Sequence, residues 1–400
     1  MQTLDQLTRE AVALANAENK HNIPPQDAPL SDSVLEVSRQ MMICNSCRYC
    51  EGFCAVFPAM TRRLEFGSSD VHYLANLCHN CGACLHACQY APPHEFKINV
   101  PKAMAQVRID TYTAYAWPAR FGVLYKNNGL WIAMALAIGL TLFLQMTANF
   151  LNGANALSLD LSNFYSIYPH NTLVSLFLPI FAFVTFSLFM GVRHFLGDIK
   201  QATSKESATG VALTEAAENA LTLKYLDGGH GDGCNNEDDG FTKFRKYFHH
   251  LTFYGFMLCF SATSVATIYH YLFGWEAPYA WNSLPKALGI SGGISLALGC
   301  IGLLYLNLKR HPLHGDPSQK PMDIGFIFLL FMTSTTGLLL AFSHQSTSMP
   351  LLLSLHLGVV MALFITLPYG KFAHAAFRLA ALIRFQTERR LPSNIGLSAE

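Results

Sequence analysis

Two runs of cysteine are the part of this sequence best suited to chemistry. The segments "CNSCRYCEGFC", residues 44–54, and "CHNCGACLHAC", residues 78–88, share the spacing C-x2-C-x2-C-x3-C. Three thiolates at steps of three residues wrap three iron corners of a 4Fe-4S cubane, and the fourth corner takes a cysteine from elsewhere. The two runs therefore predict two 4Fe-4S clusters.

The ligand sets follow the pattern of two-cluster ferredoxins, in which the fourth cysteine of each run serves the other cluster. The predicted ligands of one cluster are Cys44, Cys47, Cys50 and Cys88. The predicted ligands of the second cluster are Cys78, Cys81, Cys84 and Cys54. Structural zinc is the alternative for C-x2-C pairs, but a zinc site gains nothing from the third cysteine of each run.

The composition indicates that these cysteines belong to a soluble head on a membrane anchor. Of 400 residues, 51% are hydrophobic and only 13% are charged, which is not the balance of a soluble domain. Residues 1–128 hold eight of the eleven cysteines, and the long apolar runs follow them. The net charge of +1, without a block of basic residues interleaved with aromatics, gives no basis for nucleic-acid binding.

The polar N-terminal stretch "MQTLDQLTREAVALANAENK" has no apolar core and no small-residue cleavage site, so no secretory signal is expected. The head should then stay in the cytoplasm. In that reducing compartment, closely spaced cysteines favour metal ligation over a disulfide framework.

Six stretches without Asp, Glu, Lys or Arg are each long enough to cross a hydrocarbon core of ~30 Å as a helix. They run over Leu130–Ala148, Asn171–Val192, Leu251–Phe273, Ala287–Leu308, Ile324–Phe342 and Leu351–Tyr369. The predicted fold is mainly α: a ferredoxin-like two-cluster head followed by a six-helix transmembrane bundle. We expect residues 1–128 to form the head, 129–195 to contain helices 1–2 and 196–247 to form a cytoplasmic loop. Residues 248–378 should contain helices 3–6, and residues 379–400 should form a cytoplasmic tail.

The distribution of Lys and Arg predicts the orientation, because cytoplasmic loops collect basic residues. The segments that face outward in this scheme, 149–170, 274–286 and 343–350, contain one of the 27 basic residues, Lys286. The head, both termini and the 196–247 loop are therefore expected on the cytoplasmic side of a bacterial inner membrane.

Histidines near the ends of the predicted spans are candidate ligands of a b-type haem, which two histidines from different helices would hold. They are His170, His194, His249, His250, His270, His344, His356 and His374. The predicted inner haem has His250 and His374 as ligands, with His249 as the nearest competitor. An outer haem would pair His356 with His270 or His344. On one continuous helix, His356 and His374 would lie about 27 Å apart and could not share a haem.

The segments "YFHHLTFYGF" and "HLGVVMALFITLPYGKFAH" resemble the membrane cytochrome b subunit of respiratory nitrate reductase and its heterodisulfide-reductase-type relatives. The resemblance implies two haems held by four histidines, two of them ten residues apart on one helix. Positions 259 and 260 here are Cys and Phe, so the second ligand of that helix is absent.

Over its whole length, including "TLKYLDGGHGDGC", the chain resembles the tricarballylate or citrate utilisation protein B family. This resemblance implies an electron-transfer partner of an FAD-dependent tricarballylate dehydrogenase, which passes electrons through iron–sulfur clusters and haem to membrane quinone.

The sequence shows no substrate site of its own. It has no G-x-G-x-x-G after a strand and no Walker A motif, so flavin or nucleotide binding by this chain is not supported. The segment "GGHGDGC" could form a metal site through His230 and Cys234, but a flexible cytoplasmic turn is the favoured interpretation. A haemless iron–sulfur redox sensor and a transporter-associated protein are the alternative functions.

Overall fold

The computed structural model describes residues 30–153, 163–200, 209–229, 231–343 and 346–392. The head, defined here as residues 30–115, contains five helices. They are α1 (Asp32–Cys47), α2 (Val56–Met60), α3 (Ser68–Leu77), α4 (Ala83–His86) and α5 (Val100–Ala114). Side chains cap two of them: Ser31 Oγ accepts a hydrogen bond from Val34 N–H, and Asn99 Oδ1 accepts one from Lys102 N–H.

Six further helices are long and apolar enough to span a membrane, which confirms the predicted bundle. They are α6 (Ala119–Asn152), α8 (His170–Lys200), α10 (Phe244–Phe273), α11 (Leu284–Leu308), α12 (Lys320–Phe342) and α13 (Met349–Thr366). Their outward surface is apolar, as lipid contact requires; its exposed side chains include Leu142, Phe143, Met146, Phe181, Phe189, Leu272, Leu298 and Leu339. The chain is a multi-pass membrane protein.

The remaining helices and strands are shorter than the spans. Helix α7 covers Phe164–Ile167 and helix α9 covers Gly210–Leu221. Strands β1 (Cys234–Asn235) and β2 (Phe241–Thr242) form a two-stranded antiparallel sheet in which Cys234 pairs with Thr242. Two 3-10 turns, Pro312–His314 and Pro317–Gln319, connect α11 to α12, and α14 covers Ala373–Glu388.

Glycine permits close helix packing in the bundle between α10 and α11. A Cβ at Gly292 would lie 2.8 Å from the backbone nitrogen of Cys259 and 2.9 Å from the carbonyl oxygen of Gly255. Only a residue without a side chain allows this approach. The run "GISGGIS" is therefore a helix contact, as its small residues suggest.

The C-terminal helix α14 is part of the head's core and not a free tail. Phe377, Leu382 and Phe385 are buried in the same apolar cluster as Tyr73 of α3. Next to them, Arg63 Nη2 lies 2.5 Å from the Glu388 carboxylate, and both side chains are buried. The boundary expected at residue 378 thus falls inside α14, because this helix follows the last span directly onto the head.

Candidate metal centres

Each of two pockets in the head is bordered by four cysteines drawn from both runs. Cys44, Cys47, Cys50 and Cys88 line the first cysteine pocket. Cys54, Cys78, Cys81 and Cys84 line the second cysteine pocket. The structure therefore brings together the same two sets of four that the spacing predicts, with the fourth cysteine of each run in the other pocket.

Local backbone structure produces this crossing. Helix α1 carries Cys44 and Cys47 in its last turn and stops at Arg48, whose left-handed conformation (φ 57°) turns the chain toward Cys50. The fourth sulfurs are held by backbone amides that follow them. Cys54 accepts hydrogen bonds from the N–H groups of Val56 and Phe57.

The same arrangement recurs at the end of the second run, where Cys88 accepts from the N–H groups of Tyr90 and Ala91. Hydrogen bonds to sulfur stabilise a negative thiolate. Both fourth cysteines are therefore held in place for ligation.

The thiols of the first pocket need a cation beside them in order to ionise together. Burial, with the nearby Cys50 and Cys88 sulfurs, raises the pKa of Cys44 to about 12. Burial, Cys88 and Cys47 raise the pKa of Cys50 to about 12. Thiols this close cannot all ionise alone, whereas metal ligation deprotonates them.

Among the residues that the structure describes, no group of three or more His, Cys, Asp or Glu side chains is arranged around a single metal ion. In each pocket the four sulfurs surround a cavity instead. Such a donor set fits an iron–sulfur cluster, whose own atoms fill the space between the cysteines.

A ninth cysteine, Cys234, adjoins the second pocket and was not assigned a role there from the sequence. Its buried thiol shares a hydrogen bond with Cys81, which lowers the pKa of Cys81 to about 7 despite burial. The pKa of Cys234 is raised by the same bond and by burial. In the sequence, the signal that could have indicated this role of Cys234 was its position directly after a glycine-rich run.

That glycine-rich run packs against the head and is not a free turn. Gly229 has φ 89°, and a Cβ there would lie 2.2 Å from Phe53 Cα, one residue before Cys54. Glycine is required here both for the backbone conformation and for the contact. His230, the predicted partner of Cys234 in a metal site, lies outside the described residues.

At the head side of the bundle, the structure brings His374 to His249 and not to His250. The ring centroids of His249 and His374 are 6.1 Å apart, with the planes at 88°. His250 is directed away, toward Tyr254 and the backbone of Leu221. Successive side chains on a helix point about 100° apart, so the sequence alone could not predict which of the two adjacent histidines faces His374. We call His249 and His374 the inner histidine pair.

The centroid distance of the inner histidine pair is compatible with two ligands of one metal ion. Imidazoles bound to opposite faces of a metal through bonds of about 2 Å have centroids roughly 6 Å apart. His374 Nδ1 bonds the Lys371 carbonyl, an interaction that fixes the tautomer of a metal-binding histidine and leaves Nε2 free. His249 Nδ1 is buried and has no hydrogen-bond partner among the described residues.

Of the outer candidates, the two that the structure describes, His356 and His270, have separate partners. His356 Nδ1 lies 3.0 Å from Thr336 Oγ1, whereas His270 stacks on His170 with centroids 3.9 Å apart. His344 lies outside the described residues. The assumption that His356 and His374 share one helix is also wrong, because α13 ends at Thr366 and α14 begins at Ala373.

Together, the fold and the pockets define a class: a six-span membrane protein with a ferredoxin-like, cysteine-rich head. The family model "Citrate utilization protein B Fer4-like domain" matches residues 37–114, and "Citrate utilization protein B" matches residues 127–394. A curated relative, "Citrate utilization protein B" of Escherichia coli, is 56% identical over 93% of this chain and 97% of its own length.

The chain therefore belongs to the citrate utilisation protein B family. No solved structure matches it.

Proposed function

We propose that this chain is the membrane electron-transfer partner of an FAD-dependent dehydrogenase of citrate or tricarballylate utilisation. Electrons from the partner's flavin pass through two 4Fe-4S clusters and one b haem to membrane quinone. The Fer4-like family match and the name of the curated relative support an iron–sulfur role in this metabolism. The family resemblance supports tricarballylate dehydrogenase as the partner.

The observation that carries the proposal is the position of the second pocket beside the inner histidine pair. Arg378 Nη2 donates to the Cys78 carbonyl at 2.7 Å, and the charge of the same guanidinium acts on His249 and His374. A single side chain thus lies next to both sites. This proximity favours direct electron transfer from the head into the bundle.

We assign the haem to His249 and His374. When bound, a b haem with two histidine ligands supplies one-electron transfer without an open position for oxygen chemistry. His374 is held for ligation by its bond to the Lys371 carbonyl. The separate partners of His356 and His270 favour one haem over two.

The proposed location is the cytoplasmic membrane of a bacterium, with the head and both termini in the cytoplasm. The far ends of the spans support it, since Lys286 is the one basic residue in segments 149–170, 274–286 and 343–350. Trp275 and Trp281 are exposed at that end, as expected of an aromatic belt.

The test is the cofactor content of the purified protein. We expect about eight iron and eight acid-labile sulfide per chain in the clusters, together with the absorption bands of one reduced b haem. Clusters without haem would favour a redox sensor. Haem and clusters that fail to reduce quinone in membranes containing the dehydrogenase and tricarballylate would contradict the relay.

A further inference from the structure

Four arginines from different parts of the chain converge on the second cysteine pocket. They come from α5, the start of α10, the turn after α11, and α14, and are Arg108, Arg245, Arg310 and Arg378. Arg108 Nη1 and Arg378 Nη2 both donate to the carbonyl of Cys78. The first cysteine of the second run is thus held from the head and from the C-terminal helix together.

The other two arginines bind the next turn of the same run. Arg245 Nη1 donates to the Asn80 carbonyl at 2.6 Å. Arg310 Nη2 donates to the same oxygen at 3.4 Å and to the His314 carbonyl at 2.6 Å. All four guanidinium groups therefore bind neutral carbonyl oxygens around the cysteines.

Their positive charge is not neutralised by an ion pair in the described part of the chain, and Asp323, whose charge acts on Arg310, is paired instead with Lys371 at 2.8 Å. Within the described part of the chain, none of the four has a carboxylate oxygen within 4.0 Å, the limit for an ion pair. Arg310 Nε is buried without a hydrogen-bond partner there. An arginine guanidinium stays charged at neutral pH.

The first pocket has a different electrostatic environment. Two arginines lie near it: Arg39, which forms an ion pair with Glu36 at 2.7 Å, and Arg48 in its lining, whose Nε donates to the Asn45 carbonyl at 3.1 Å. The pocket is also closer to solvent, since Tyr49 on its rim is 69% exposed. A more negative, reduced cluster is therefore stabilised less there than in the second pocket.

We infer that these four arginines raise the reduction potential of the second pocket's cluster above that of the first and make it the electron exit toward the bundle. The inference rests on the proposed function. One electron passes from the first cluster, which is oxidised, to the second, which is reduced. No bond or proton changes. The flavoprotein supplies the electron, and the haem iron accepts it in turn.

The test is the midpoint potential of each cluster in the full-length protein, measured by EPR at a series of fixed potentials. The Cys81→Ser variant identifies the signal of the second pocket. In Arg378→Gln, we expect the ratio of reduced to oxidised second cluster to fall about tenfold at the wild-type midpoint, a downward shift of about 59 mV for a one-electron couple. Arg310→Gln should shift it in the same direction.

Two controls separate charge from structure. Arg378→Lys keeps the charge and should restore most of the potential. Arg390→Gln, on the same region of chain, removes an arginine that is paired with Glu215 at 2.6 Å and should change nothing. The first cluster's potential should stay constant throughout.

An unchanged second-cluster potential in both glutamine variants would overturn the inference, and so would an equal fall in Arg378→Lys. A wild-type protein that lacks the second cluster or the haem would instead contradict the proposed function.

Discussion

Each cysteine run contributes three sulfurs to one pocket and its fourth sulfur to the other. Cys88 therefore belongs with Cys44, Cys47 and Cys50, although 38 positions separate it from the nearest of these in sequence, Cys50. The crossing links the two pockets, because neither can close without the backbone of the other run. At this scale the cysteine assignments follow from spacing alone.

Serine substitutions of single cysteines test the crossed ligation of the two clusters. Cys88→Ser should perturb the cluster signal that Cys47→Ser also perturbs, because both residues border the first pocket, and should leave the second signal in place. Cys54→Ser should do the reverse. EPR of the reduced variants measures both signals, with Cys300→Ser, inside α11, as the control. Damage by Cys88→Ser to the second signal alone would show uncrossed ligation.

Adjacent histidines allow a matched test of the inner pair. His249→Ala should remove the low-spin haem absorbance, because this ring faces His374, whereas His250→Ala should keep it. The clusters should survive in both variants. Haem loss in His250→Ala with retention in His249→Ala would contradict the assignment.

The difference between His249 and His250 shows which kind of feature the sequence alone does not predict. Residue spacing identifies thiolate sets because the cluster itself fixes the geometry of the loop. A helical span carries no such constraint, and its rotation depends on packing against neighbours. Contacts such as Gly255 against Gly292, which set that rotation, become visible only in the folded bundle.

Among the elements, residues 226–229 and 231–234, between two transmembrane helices, contact the head beside the second pocket. Gly229 contacts Phe53 beside one ligand of the second pocket, while Cys234 contacts another, Cys81. A chain segment between two transmembrane helices thus closes a pocket in the head. Its contacts join distant parts of the sequence, so its glycine composition alone suggested only a turn.

Two glycines of this loop provide a controlled test. Gly229 and Gly231 both have positive φ, of 89° and 78°, but a Cβ at Gly231 meets nothing within 4 Å. Gly231→Ala should cost only the left-handed strain of about 1–2 kcal/mol. Gly229→Ala should cost more and weaken the second cluster's EPR signal, because its Cβ meets the Phe53 backbone. Equal signal loss in both variants would mean that strain, and not this contact, matters.

For the whole molecule, hydrophobic patterning predicted the six spans closely, since each must cover the same apolar thickness. The internal contacts between head and bundle were not predictable in this way. The Arg63–Glu388 pair joins residues 325 positions apart, and the four arginines meet Cys78 and Asn80 from three helices and a turn. Helix α14 follows the last span and packs in the core of the head, so it joins the head to the bundle.

The most direct test of the relay is the rate of haem reduction in membrane vesicles after addition of the dehydrogenase and tricarballylate. We expect rapid reduction of the b haem in the wild-type protein. In Cys81→Ser, the haem should remain reducible by dithionite but no longer by the dehydrogenase, because the second pocket is the one that lies beside the inner histidine pair. Haem reduction by the dehydrogenase at the wild-type rate in that variant would contradict the account.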